Sequence, residues 1–134
     1  MRFVGLLGLL GLPGVLAAGC EAEDPARAVA ARFVDHYYVE LDLAAALPDA
    51  TGLAHAKLLR EQELLAGIDA PADAGRPSVY YRFLEEGEAG ATRRSFLYEL
   101  TITFSDAHVV REALVTVRED EAGRWRVANF RELS

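Results

Sequence analysis

The sequence predicts an α+β domain, with N-terminal helices packed on a curved antiparallel four-strand meander. Three observations carry this. Between residues 25 and 66 apolar side chains recur at helical spacing. From residue 78 the period falls to two. A segment of turn composition, 68–77 (IDAPADAGRP), separates the two patterns. Strands so close in sequence pair antiparallel, and the preceding helices are the cover available for one face of their sheet.

Each element has its own signal. Asp24-Pro25 is a helix start, with a capping oxygen followed by a proline that needs no N–H. Val29, Phe33 and Tyr37 then share one helical face, which predicts a helix over 25–40. Asp42 caps a short second helix, Leu43 to Leu47, which Pro48 helps to end. Thr51 caps a third over 52–66, with Ala54, Leu58, Leu65 and part of Leu64 turned inward and Gly67 as the stop. In the strands, Val79, Tyr81 and Phe83 alternate with Tyr80, Arg82 and Leu84, and Glu85 to Ala91 reads as a hairpin loop. Phe96, Tyr98, Leu100, Ile102 and Phe104 line one face of the second strand, opposite Leu97, Glu99, Thr101 and Thr103. Ser105 to Ala107 turns the chain. Ala113, Val115 and Val117 face inward on the third strand. Asp120 to Gly123 turns again, and Trp125, Val127 and Asn129 alternate with Arg126, Ala128 and Phe130.

The 134 residues include 14 basic and 21 acidic side chains, for a net charge of −7. That acidity argues against nucleic acid as a partner. No nucleophile elbow, P-loop, dinucleotide fingerprint or metal-ligand spacing is present, so no cofactor or metal is expected.

The lone cysteine, Cys20, ends the run Leu16-Ala17-Ala18-Gly19-Cys20. It follows an apolar stretch, Phe3 to Val15, that begins after Arg2. A membrane-spanning helix needs about 20 apolar residues. This stretch is shorter, glycine-rich and followed by small residues, the pattern of a signal peptide. The run resembles a bacterial lipoprotein lipobox. The resemblance implies removal of residues 1–19 and acylation of Cys20. Residues 20–24 then form a lipidated N-terminus with a short tether, ahead of a single domain over 25–134. Several acyl chains hold a protein firmly on a membrane, since each buried CH₂ contributes about 0.8 kcal/mol. Glu21 follows the cysteine instead of Asp, which leans towards the outer membrane where a source has two. An ordinary secretory signal cut near Ala18 would instead leave Cys20 as a free thiol. The four residues Glu21 to Asp24 reach about 14 Å when extended, which keeps the domain close to the bilayer.

The domain resembles the NTF2-like (cystatin-like α+β) superfamily. The residues that carry this are Phe33-Val34-Asp35-His36-Tyr37-Tyr38 in the first helix. Gly123-Arg124-Trp125-Arg126-Val127-Ala128-Asn129-Phe130 in the last strand carry it too. Such folds host isomerases, dehydratases, transport factors and binding modules, so fold membership does not select a function. The resemblance also implies pairing through the outer side of the sheet.

Tyrosines supply apolar walls and an orienting hydroxyl. Tyr37, Tyr81, Tyr98 and Asn129 are the candidate ligand-binding residues, and Tyr81, Tyr98 and Asn129 are expected to ring a small cavity beneath the helices. Tyr38, Tyr80 and Trp125 are further aromatic candidates, and a tyrosine-bearing core is the alternative. His36 stands i, i+4 from Glu40 and can pair with it. His55 and His108 read as surface residues. No catalytic set is assigned. The favoured reading is an envelope-anchored, non-catalytic module that binds a protein partner, a small ligand or a second copy of itself. An isomerase or dehydratase using His36 or Asp35 in the cone is the alternative.

Overall fold

The computed structural model describes residues 23–68, 76–87 and 90–133. The expected signal peptide over 1–19, Cys20 and most of the 68–77 connector lie outside the described residues. Helix α1 spans Pro25–Val34 and passes directly into a π-helical turn, Asp35–Val39. Asp24 caps α1 as expected, its carboxylate accepting from Ala26 N–H at 3.1 Å. The predicted 25–40 helix is therefore continuous but changes winding. Glu40 N–H donates to Asp35 O at 2.9 Å, one residue further back than an α-helix allows. The wider turn lets neighbouring Tyr37 and Tyr38 both reach the Phe130 ring, at 4.7 and 6.5 Å. Leu41 closes it at φ +56, a conformation usually left to glycine.

Helix α2 (Leu43–Ala46) is capped by Asp42, which accepts from Ala45 N–H at 3.0 Å. The α-helix ends ahead of Pro48, which sits early in a 3₁₀ turn, Leu47–Asp49. Helix α3 spans Gly52–Leu65. Thr51 occupies its cap position, but its side chain makes no capping bond. The buried residues of α3 are Ala54 and Leu58. Leu64 and Leu65, expected to turn inward, are exposed, because the last turn extends past the core.

Strands β1 (Ser78–Gly87), β2 (Arg93–Thr103), β3 (His108–Glu119) and β4 (Trp125–Leu133) form one antiparallel sheet in sequence order. The four-strand meander is thus the predicted one. Three details differ. Glu85 to Gly87, read as loop, continue β1 past a bulge and pair with Leu97, Phe96 and Ser95. Phe104 leaves β2 and closes the next turn, its N–H donating to Ala107 O at 2.7 Å. Ala128 is an extra residue in β4: Thr116 faces Asn129, while Val117 faces Val127. A one-residue bulge exchanges faces. Phe130 therefore joins Val127 in the core, and Asn129 turns out.

The core lies between the sheet and the helices. Phe33 and Val34 of α1, Leu58 of α3, Phe96, Tyr98 and Leu100 of β2, Val115 and Val117 of β3, and Val127 of β4 are its largest fully covered side chains among the described residues. Strand β4 would otherwise present a free edge, which invites pairing with other chains. Here Ala50 pairs with Val127, and Thr51 N–H donates to Val127 O at 2.8 Å. Lys57 Nζ donates to Phe130 O at 2.6 Å.

Candidate functional site

The structure divides the sequence-predicted residues between two places. Tyr81 and Tyr98 meet beneath the sheet, ring centroids 5.8 Å apart in an edge-to-face pair. Phe83 packs on Tyr98 at 5.8 Å, and the Arg27 guanidinium lies 3.8 Å over the Phe83 ring. The Tyr98 hydroxyl is buried with no hydrogen-bond partner among the described residues. Burial pushes its phenol up to about 12, against the opposing pull of Arg27. Tyr81 is also raised, by burial and then by the Asp35 carboxylate.

Tyr37 lies elsewhere, on a cleft between α3 and β4 of about 440 Å³, and Asn129 stands behind it, bonded to the cleft's Lys57. The expected ring of Tyr81, Tyr98 and Asn129 is therefore not formed. The reason is the bulge at Ala128, which turns Asn129 away from Tyr98 and towards Lys57. The Tyr37 hydroxyl donates to Glu61 Oε1 at 2.6 Å, and that of Tyr38 to Glu132 Oε2 at 3.1 Å. Lys57 Nζ donates to Asn129 Oδ1 at 2.9 Å and stands 4.9 Å over the Phe130 ring. Burial raises both phenols above the ordinary tyrosine range, and Glu61 and Glu132 raise them further. Both hydroxyls thus stay protonated as donors.

The cleft is built by sequence-distant parts. Tyr37 comes from the π turn, Lys57 and Glu61 from successive turns of α3, and Glu132 from the end of β4. Arg60, Leu64 and Arg131 complete the wall, with Tyr37 and Phe130 as floor. Charges of both signs around an aromatic floor suit a small polar or zwitterionic ligand, or a peptide segment. Lys57, Glu61 and Glu132 were not singled out from sequence. The available signal was weak: Lys57 is the only lysine, and Lys57 and Glu61 share a helical face.

His36 Nδ1 lies 2.9 Å from Glu40 Oε1 on the helix surface, the pairing expected from their spacing. His55 is partly exposed and His108 exposed. Among the described residues there is no group of three or more His, Cys, Asp or Glu able to hold a metal, and no helix long and apolar enough to cross a membrane.

No family model matches the chain, and no curated protein matches it. Among solved structures it is similar to a ketosteroid isomerase-like protein from Erwinia carotovora atroseptica SCRI1043. The TM-score is 0.52 at 16% identity, over 81% of this chain and 92% of that one. The likeness shows the fold: helices, then a four-strand meander, the arrangement of NTF2-like domains.

Proposed function

We infer that this chain is an envelope lipoprotein, anchored through acylated Cys20, whose NTF2-like domain binds a small ligand or a partner segment without transforming it. The run Leu16 to Cys20 supports the anchor. One observation supports binding over turnover. The phenols of Tyr37 and Tyr38, the carboxylates of Glu61 and Glu132, and Lys57 are fixed around an open aromatic-floored cleft. Beneath the sheet, by contrast, Phe33, Phe96, Tyr98 and Phe130 pack against one another in a core. A preorganised polar set loses little freedom on binding, which favours affinity.

The test is recovery of bound material from the host envelope. Native chain and a Lys57→Ala/Glu61→Gln variant are purified in parallel and their co-purifying molecules compared by mass spectrometry. A specific molecule or protein held by the native chain alone supports the cleft. Equal recovery with both overturns it. A homodimer through the outer sheet face, where Tyr80, Thr101 and Val110 align across three strands, would appear as a concentration-dependent mass.

A second reading has its own observation. The unpartnered Tyr98 hydroxyl, beside Tyr81, whose own phenol lies in the field of Asp35, has the makings of an acid–base pair in the cone. An isomerase or dehydratase built there would lose turnover on Tyr98→Phe.

A further inference from the structure

We propose that Arg93, Arg118 and Arg126 form a binding site for a phosphate-type oxyanion. The register places them directly opposite one another on three adjacent strands: Arg93 faces Arg118, and Arg118 faces Arg126. Direct cross-strand partners share a face, with Cβ atoms about 4.5–5.5 Å apart, and like charges so placed repel. Three guanidiniums in a row are an unfavourable arrangement for the empty protein.

The neighbourhood does not neutralise them. Arg94, one residue along β2, shows what a satisfied arginine looks like here, with Nε, Nη1 and Nη2 all donating to Asp24 or Glu86. The chain has acidic side chains in excess, at net −7. Yet none of the three row arginines makes a hydrogen bond or ion pair among the described residues. The carboxylate whose charge couples to Arg126 is Asp120, and its Oδ1 is already taken by the N–H groups of Ala122 and Arg124. Arg126 Nε is buried without a partner, a costly state for a donor. Gly52, at φ +54, lies beside the row, with Arg118 Nη2 3.6 Å from the point where a side chain there would begin.

The chemistry selects the ligand. Planar guanidinium forks match tetrahedral oxyanions through paired N–H donors, and several forks around one site suit a multiply charged anion. Arg93 and Arg118 are exposed, so the row is open to solvent. Arg94, one residue along β2, points to the opposite face, where it grips Asp24, so its carboxylate partners lie across the sheet from the row. A lipid phosphodiester headgroup and a soluble phosphate are both sources of the same oxyanion.

Calorimetric titration of the full chain tests this, with sodium pyrophosphate and glycerophosphoglycerol as probes at constant ionic strength. The expected result is saturable binding of at least one probe, weakened tenfold or more by Arg118→Gln and unchanged by Arg111→Gln, an exposed arginine of β3 off the row. Preference for the phosphodiester assigns a lipid headgroup, and preference for pyrophosphate a soluble anion; either supports the site. Because Arg118→Gln also relieves repulsion, a second variant, Arg118→Lys, keeps the charge but not the fork and is expected to bind more weakly than native. Absence of saturable binding to the native chain, equal affinity in Arg118→Gln, or equal loss in Arg111→Gln would overturn the proposal. None of these outcomes depends on the α3–β4 cleft.

Discussion

Arg94 holds Asp24 through two parallel bonds, Nη1 to Oδ1 at 2.9 Å and Nη2 to Oδ2 at 2.6 Å, across 70 residues of sequence. The same guanidinium holds Glu86 at 2.7 and 2.9 Å. One side chain thus joins the cap of α1 to the β1–β2 hairpin, and fixes where the domain receives its N-terminal segment. Its hydrogen bonds and charge keep both carboxyls below their ordinary values of 3.8 and 4.5. The native state therefore binds fewer protons than the unfolded chain in acid. Stability from these groups is present above those ordinary values and is lost as pH falls through the lowered ones. Arg94→Met is expected to melt lower than native at pH 7, modestly, because exposed pairs are screened. The gap should narrow below about pH 4. Thermal melts across pH 3–7 check this, and a gap independent of pH would refute it.

The Tyr98 hydroxyl is the opposite case, a buried donor with no acceptor among the described residues. Removing an unsatisfied buried group recovers part of its desolvation cost, so Tyr98→Phe is expected to gain about 1 kcal/mol. Urea unfolding midpoints measure it. A loss of stability would mean that the hydroxyl has a partner.

In alkali, the raised phenols of Tyr37, Tyr38, Tyr81 and Tyr98 act together. The unfolded chain releases these protons near 10 and the folded one higher, so stability should fall as pH rises above about 10. Tyr37→Phe and Tyr38→Phe should each weaken this dependence. Phenolate absorbance that titrates as a single ordinary step in the folded protein would contradict it.

Leu41 adopts φ +56 with its side chain more than half exposed. Left-handed backbone costs a non-glycine residue about 1–2 kcal/mol, partly offset by the greater unfolded freedom of glycine. Leu41→Gly is expected to stabilise by about 0.5–1 kcal/mol. Denaturant titration reads this directly, and destabilisation would show that the Leu41 side chain contributes more than its backbone costs.

The layout was legible where one local rule ran unbroken. Phe96, Tyr98 and Leu100 alternate without interruption, and all three are buried. Asp24-Pro25 and Asp42 carry their capping chemistry in the residue itself, and both cap as read. Phe130 was not legible, because the bulge at Ala128 exchanges faces with no glycine or proline to mark it. The π turn was equally silent, since Tyr37 continues the apolar spacing of α1 and no glycine or proline marks Asp35 to Val39. Tyr37 lies on the cleft, but the residues that meet it there were not legible. The bond from Lys57 to Asn129 joins residues 72 apart, and that from Tyr38 to Glu132 residues 94 apart. No local pattern encodes such meetings; they follow from where α3 and the π turn lie along β4.

The anchor is the claim on which cellular placement turns, and the intact mass of the protein extracted from its host membranes tests it most directly. The expected species begins at Cys20, carries the added mass of acyl chains, and is lost from the membrane in Cys20→Ala. A chain that begins at another residue, or one recovered from the soluble fraction with an unmodified thiol, would contradict it.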